Sequence, residues 1–285
     1  MMIYDLRKDS NSLVEHLLDT SMGLPSGITT LDEMLLGFDP GELIIIAGRP
    51  GMGKSSLARD ISLSIGEPSV AATTLFYSLE MSCGETSQLL LASLAKANYY
   101  GIKRGNITDT IKSQLGSASA QLSTYNIIVD DNSNTNPDYI RTSLREQEET
   151  ISCIIVDYIQ LMSLGRRPNR QEEVSEISRE LKSIAKEFNL PVIALSQLNR
   201  LVEYRESTRP RLSDLRESGA MEQDAHKVLL LHRPSYNTIK ISHDMEDDDG
   251  EAEIIIAKNR KGPTGVVKCA WAAEWMSFRD IPEEF

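Results

Sequence analysis

Cysteine is scarce in this 285-residue chain. Cys83, Cys153 and Cys269 are odd in number and far apart, and none belongs to a C-x-x-C pair. That excludes the spacing of a structural zinc site and argues against a disulfide framework. A reducing, cytoplasmic setting is the expectation. Cys153 and Cys269 lie in apolar runs and are expected to be small buried residues. Long apolar runs are missing too. No stretch approaches the length that crosses a bilayer, so no membrane partner is expected. The first residues lack the pattern of a signal peptide. The sequence has no internal repeat and no low-complexity tract. Positive charge is in deficit: 30 Lys and Arg stand against 42 Asp and Glu, a net charge of −12. A globally acidic chain does not coat itself in nucleic acid, so any such contact must be a local basic surface. Part of the acidity is concentrated in Asp244-Met245-Glu246-Asp247-Asp248-Asp249, which reads as a solvated loop.

What is present centres on nine residues, Gly48-Arg49-Pro50-Gly51-Met52-Gly53-Lys54-Ser55-Ser56. An apolar run, Leu43-Ile44-Ile45-Ile46-Ala47, precedes them. A predicted helix follows, with Leu57, Ile61 and Ile65 at helical spacing. Strand, glycine-rich turn and helix is the context of a P-loop. The glycines let successive N–H groups point at phosphate oxygens, and the helix adds the positive end of its dipole. Lys54 can reach the β- and γ-phosphates, and the Ser55 hydroxyl can bind Mg²⁺. Nucleoside triphosphate binding follows.

Strands and helices alternate along the rest. Residues 74–79, 126–130, 152–157, 191–196 and 227–231 read as strands. Helices are expected over 84–97 and 139–149. A further face is traced by Val174, Ile177, Leu181, Ile184, Ala185 and Phe188. Residues 101–124 read as small helices and turns. The pair 252–258 and 265–271 reads as a hairpin. A short apolar stripe, Leu13, Val14, Leu17 and Leu18, suggests a helix over 11–19. It is too short to stand alone, and either packs on its own domain or docks on a neighbour. With apolar content of 40%, the chain is expected to form one α/β domain, a mainly parallel twisted sheet with helices on both faces. Such sheets bind ligands at the carboxyl ends of their strands.

Three polar residues sit at such ends. Asp157, after Ile154-Ile155-Val156, fits a Mg²⁺ carboxylate. Glu80 fits a general base for an attacking water. Gln197 could sense a γ-phosphate and pass that state to an arginine-rich stretch containing Arg200, Arg205, Arg209, Arg211 and Arg216. Lys258 and Arg260 are two apart at a strand end, so both can point the same way. A guanidinium suits a transferring phosphoryl group, but the pair could equally be a basic hairpin tip.

Several longer stretches are more discriminating than the P-loop. They are Ser78-Leu79-Glu80-Met81-Ser82, Ile154 to Met162, Leu195 to Arg200, Arg209 to Gly219, Glu222-Gln223-Asp224-Ala225 and Ile256 to Gly265. With Gly48–Ser55 they resemble, in order, the C-terminal ATPase domain of DnaB-type replicative helicases, RecA-fold motors of the hexameric helicase class. The resemblance implies an arm or linker helix over 1–22 that docks on the adjacent subunit, and a RecA-like domain over 23–285. It implies ATP and Mg²⁺ as cofactors, with Lys54 and Ser55 on phosphate and metal, Asp157 as Walker B carboxylate, Glu80 as catalytic base and Gln197 as γ-phosphate sensor. Lys258 and Arg260 would act in trans, Arg260 as arginine finger. Arg216, Glu217 and Gly219 match a channel loop that grips single-stranded DNA, and the segment with Arg166, Arg167 and Arg170 matches a second. A homohexameric ring, 5′ to 3′ movement, and a helicase loader and primase as further partners are also implied. Family members usually carry an N-terminal helical domain that binds primase. Here roughly two dozen residues precede the ATPase core, which suits either a piece of a longer chain or a short, phage-encoded version. Two other readings are a recombination ATPase of the RecA/RadA kind and an ATP-assembled scaffold on single-stranded DNA.

Overall fold

The computed structural model describes residues 22–165, 169–199, 208–236 and 250–281, with Val14, Leu18 and Arg205. The side chains of residues 216–219 fall outside that description. So do the acidic 244–249 stretch and most of the helix expected over 11–19, of which Val14 and Leu18 are helical and exposed.

An unbroken apolar run has no polar face to turn to water, so its strand must be covered on both sides. That is how β1 (Leu43–Gly48) sits, buried along its whole length. Its residues divide by the two-residue period of a strand. Ile44 and Ile46 enter one core with Leu57, Ala58, Ile61 and Ile65 of the helix after the P-loop. Leu43, Ile45 and Ala47 enter a second core with Val174, Ile177, Leu181, Ile184 and Ala185. Numbered in chain order, the helices are α1 (Thr29–Leu35), α2 (Lys54–Gly66), α3 (Cys83–Leu94), α4 (Tyr99–Lys103), α5 (Asp109–Leu122), α6 (Pro137–Glu146), α7 (Arg170–Phe188) and α8 (Gly219–Asp224).

The strands after β1 are β2 (Thr74–Ser78), β3 (Ile127–Asp130), β4 (Cys153–Asp157), β5 (Val192–Gln197), β6 (Lys227–His232), β7 (Glu251–Asn259), β8 (Gly265–Ala272) and β9 (Ser277–Arg279). They form one sheet in the order β3-β2-β4-β5-β1-β6-β7-β8-β9. The first six positions are parallel, and β6 to β9 pair antiparallel. The parallel sheet, the helices on both faces and the terminal hairpin are as the sequence suggests. The third antiparallel strand, β9, is an addition. The region 101–124 differs in degree: after the short α4 it holds one continuous helix, α5, of 14 residues.

Local signals fix the ends near the site. Ser82 caps α3 through a capping box: its hydroxyl accepts from the Glu85 N–H, and the Glu85 carboxylate accepts from the Ser82 N–H. That turns the chain sharply just after Glu80. Asn169 caps α7 by accepting from the Gln171 N–H, and Asn189 ends it in the left-handed region with φ of 53°.

Candidate functional site

The P-loop leaves β1 at Gly48 and enters α2 at Lys54. Gly51 and Gly53 have φ of +80° and +94°, values that glycine adopts without strain. Neither has space for a side chain. A Cβ on Gly51 would lie 1.9 Å from the Tyr236 hydroxyl, and one on Gly53 would lie 2.8 Å from the Phe278 ring. Two arginines hold the loop from outside. Arg49 donates to the Leu198 carbonyl at 2.8 Å, and Arg233 donates to the Gly51 carbonyl at 3.2 Å while stacking on Trp271. The Lys54 ammonium folds back onto the Arg49 carbonyl at 3.2 Å.

The strand ends bring the predicted groups together. β1, β2, β4 and β5 run parallel, with Ser78 level with Asp157 and Gly48 level with Gln197. Pro50, Gly51, Gly53, Lys54, Ser55, Ser56, Glu80 and Gln197 line one cleft of about 410 Å³. Asp157 does not line the cleft but lies buried, 4% exposed, with the Ser55 hydroxyl of the cleft beside it. Burial raises the Asp157 carboxyl above its ordinary range, and the nearby Glu80 adds to this; Ser55, Arg59 and Lys54 oppose it. Burial lowers the Lys54 ammonium, and Asp157 and Glu80 partly restore it. The Asp157 Oδ1 atom is buried with no hydrogen-bond partner among the described residues. An orphaned carboxylate oxygen with a hydroxyl beside it, next to a phosphate cradle, is a hard donor set of the kind Mg²⁺ takes, so the residues present fit that ion. Among the described residues no cluster of three His, Cys, Asp or Glu exists.

Met52 lies buried under the loop. Two further residues, one in the cleft and one behind Gln197, escaped the sequence reading. Arg59 is 3% exposed, lines the cleft and donates to the Ser56 hydroxyl at 3.0 Å. One turn past the P-loop on α2, it is recognisable only after the helix register is known. Gln160, in the 3₁₀ turn Ile159–Leu161, brackets Gln197. Its amide accepts from the Gln197 N–H at 3.3 Å and donates to the Ser196 hydroxyl at 2.8 Å.

Lys258 and Arg260 lie elsewhere. Both donate to backbone carbonyls in α8, Lys258 to Glu222 and Arg260 to Gln223, so they do point the same way. Asn259 is level with Lys227, and Lys227 with Ile44 near the start of β1. At about 3.3 Å per residue, their end of the sheet is about 13 Å from the P-loop along the strand direction. The sheet therefore carries the cleft at one end and these two cations at the other.

The DNA-contact candidates divide. Arg166 and Arg167 lie outside the described residues. Arg216, Glu217 and Gly219 fall at the junction of a 3₁₀ turn (Leu212–Ser218) and α8, with only their backbone described. Arg170 is engaged within the chain: it pairs with Glu173 and donates to the carbonyls of Gln160 at 2.6 Å and Met162 at 2.8 Å. Arg205 pairs with Asp214 at 2.6 Å, and Arg209 with Glu253 at 2.9 Å.

Comparison with known proteins agrees with this arrangement. The model of the DnaB-like helicase C-terminal domain family matches residues 23–280. The replicative DNA helicase DnaC of Bacillus subtilis (strain 168) is 41% identical over 268 residues, covering 92% of this chain and 58% of the relative. The replicative DNA helicase DnaB of Leifsonia xyli is also 41% identical, over 270 residues, with 57% of its length covered. The chain thus spans under three fifths of the length of these relatives. Among solved structures, the ATPase domain of G40P superimposes with a TM-score of 0.89 at 32% identity, covering 99% of this chain and 100% of that one. A DnaB-like replicative helicase described with its primase interactions gives 0.86 at 32% identity, with 67% of its chain covered. No helix of the described residues is long and apolar enough to cross a membrane. A RecA-like sheet, a P-loop at its carboxyl edge and a family match over nearly the whole length lead to one assignment: this chain belongs to the DnaB-like helicase C-terminal domain family.

Proposed function

We propose that this chain is the ATPase motor of a replicative DNA helicase, acting as one subunit of a homohexameric ring. The observation that carries the reading is the split between the two ends of the sheet. Lys54, Ser55, Glu80 and Gln197 line one cleft with Asp157 buried beside Ser55, while Lys258 and Arg260 lie about 13 Å away along the strands. A chain built so would complete its phosphate site with cations from a neighbour. Head-to-tail contacts of that kind close into rings.

In this reading the P-loop amides and Lys54 bind the β- and γ-phosphates of ATP. Glu80 orients the attacking water and takes its proton. Ser55 and Asp157 are the residues that would hold Mg²⁺, whose chemistry there is to neutralise charge on the phosphates. Gln197 hydrogen-bonds the γ-phosphate, and Arg260 of the next subunit stabilises the charge that develops in transfer, with Lys258 beside it. Residues 23–285 form the motor body and 1–22 an arm to the adjacent subunit. Arg216, Glu217 and Gly219, with Arg166 and Arg167, hold single-stranded DNA by its backbone, which suits a motor that must accept any sequence. Movement from 5′ to 3′, a loader and a primase partner are part of the proposal, and family membership supports them. The primase interactions of the solved DnaB-like helicase support the last of these.

Strand displacement on a forked duplex with ATP and Mg²⁺, alongside native mass measurement, tests the reading. Unwinding by a hexamer is the expected result. ATP-dependent assembly on DNA without strand displacement would replace the motor with a scaffold.

A further inference from the structure

Gln197 is the wall between two cavities. One face lines the nucleotide cleft, and the other lines a second cavity of about 290 Å³ with Gln160, Arg170, Val174, Asp214 and Leu215. From Gln197 a continuous set of polar contacts leads away from the cleft. The Gln160 amide accepts from the Gln197 N–H at 3.3 Å and donates to the Gln197 carbonyl at 3.4 Å. It is anchored by the fully buried Ser196 hydroxyl at 2.8 Å. The Gln160 backbone carbonyl accepts from Arg170 at 2.6 Å, and the same guanidinium nitrogen reaches the Met162 carbonyl at 2.8 Å. Its other terminal nitrogen pairs with Glu173. Glu173 is 5% exposed, and its second oxygen accepts from the Leu164 N–H at 2.8 Å and the Ser163 hydroxyl at 3.1 Å.

We infer that Gln160, Arg170 and Glu173 are positioning residues that tie the end of β5, at the nucleotide cleft, to the backbone at Ser163 and Leu164. The inference rests on the proposed γ-phosphate contact of Gln197 and specifies how that contact is passed on. Each link is directional and nearly saturated. Gln160 satisfies both backbone groups of Gln197, so displacement of Gln197 toward phosphate either breaks two hydrogen bonds or carries the Ile159–Leu161 turn with it. The turn's carbonyls are clamped by a planar guanidinium, which couples them to Glu173 with little freedom to slip. The second cavity gives the turn room to move. A buried carboxylate at the far end cannot lose its N–H partner cheaply, so the 163–164 backbone follows. Coupling then passes through a packed polar chain of named contacts, not through distance alone.

Amide hydrogen exchange on the full chain, with and without a non-hydrolysable ATP analogue and Mg²⁺, tests this. In the wild-type chain, exchange at 50–54 and at 163–165 changes together. The second change is about fivefold or more, the low end of ordinary coupling between sites. Gln160→Met removes the amide, and Glu173→Gln removes the carboxylate charge at the other end without disturbing the cleft. In both, the 50–54 response persists and the 163–165 response is lost. Retention of the 163–165 response in both variants overturns the relay and leaves the nucleotide site standing. Absence of a wild-type response at 163–165 while 50–54 responds also overturns it. Absence of any response at 50–54 overturns the nucleotide reading, and the relay with it.

Discussion

Lys227 presents the clearest energetic test. Its ammonium is 1% exposed, 2.6 Å from Glu42, itself 2% exposed, and 2.8 Å from the Gly37 carbonyl. Removing one member of a buried ion pair strands the other charge and costs about 3–5 kcal/mol. Lys227→Met falls toward the lower end, because Lys261 remains 3.2 Å from the other Glu42 oxygen. Glu42→Leu falls toward the upper end, since it leaves the ammonium with one carbonyl. The double variant replaces two buried charges by two apolar side chains of similar length. It loses the Gly37 contact and the Glu42 contact with the Asp39 N–H at 3.3 Å, and is expected within about 1–2 kcal/mol of wild type.

Urea unfolding with a shared m-value reads all four corners of this cycle. At about 2–4 °C per kcal/mol for a domain of this class, each single variant melts roughly 6–20 °C lower and the double variant recovers most of the loss. High salt should leave the single-variant losses in place, because buried pairs are screened little. Additive losses in the double variant, or single losses below about 1 kcal/mol, would refute the argument that these charges are stabilised mainly by each other. The cycle also reaches the turn that carries Arg260. Lys261 bridges Asp39 at 2.7 Å and Glu42, and it lies next to Arg260 in the turn between β7 and β8.

Other outcomes follow from the same geometry. Glu80→Gln should bind ATP as wild type does while losing turnover by about 10²–10⁴, the usual worth of a positioned base; full ATPase activity would remove Glu80 from that role. Arg260→Ala mixed with Lys54→Ala should recover ATPase that neither has alone, and the absence of recovery at every mixing ratio would count against catalysis in trans. Asp60, on α2, accepts from the Phe278 N–H at 2.7 Å and from the Ser277 hydroxyl at 2.8 Å, and burial raises its carboxyl to about 6. The folded chain therefore binds more protons than the unfolded chain between about pH 4 and 6, so this group's contribution to stability falls as pH rises through that window. Asp60→Asn should remove that slope: its stability relative to wild type should climb by about 2 kcal/mol between pH 4 and 6, and a parallel pair of curves would refute the assignment.

Much of this was visible in one dimension because β1, β4 and β5 are buried on both faces and must be written in apolar residues. The candidate groups sit where such runs stop: Asp157 and Gln197 end β4 and β5, and Glu80 follows β2, so strand ends pointed toward the cleft. Helix α7 was legible for a related reason, its core face recurring at Val174, Ile177, Leu181 and Ile184. By contrast, α5 buries only Ala118 and therefore writes no stripe. Strand β9 has three residues and one large apolar side chain, Phe278, too little for a period. α1 shows only the Leu31 and Leu35 pair. Arg59, Gln160 and Arg170 take their roles from register between distant segments. Nothing in the composition of 159–173 distinguishes an arginine that clamps two carbonyls from one that waits for DNA.

The placement of Lys258 and Arg260 has a kinetic meaning. A parallel sheet packed on both faces is a stiff plate, and its two ends cannot be folded onto one another. If catalysis needs both ends, a lone chain is idle by construction, and its rate per subunit must rise with concentration before levelling off. Fuel would then be consumed only by the assembled machine. Each chain would be at once the owner of one reaction centre and the trigger of the next, so a single faulty copy would silence two centres, and in different ways.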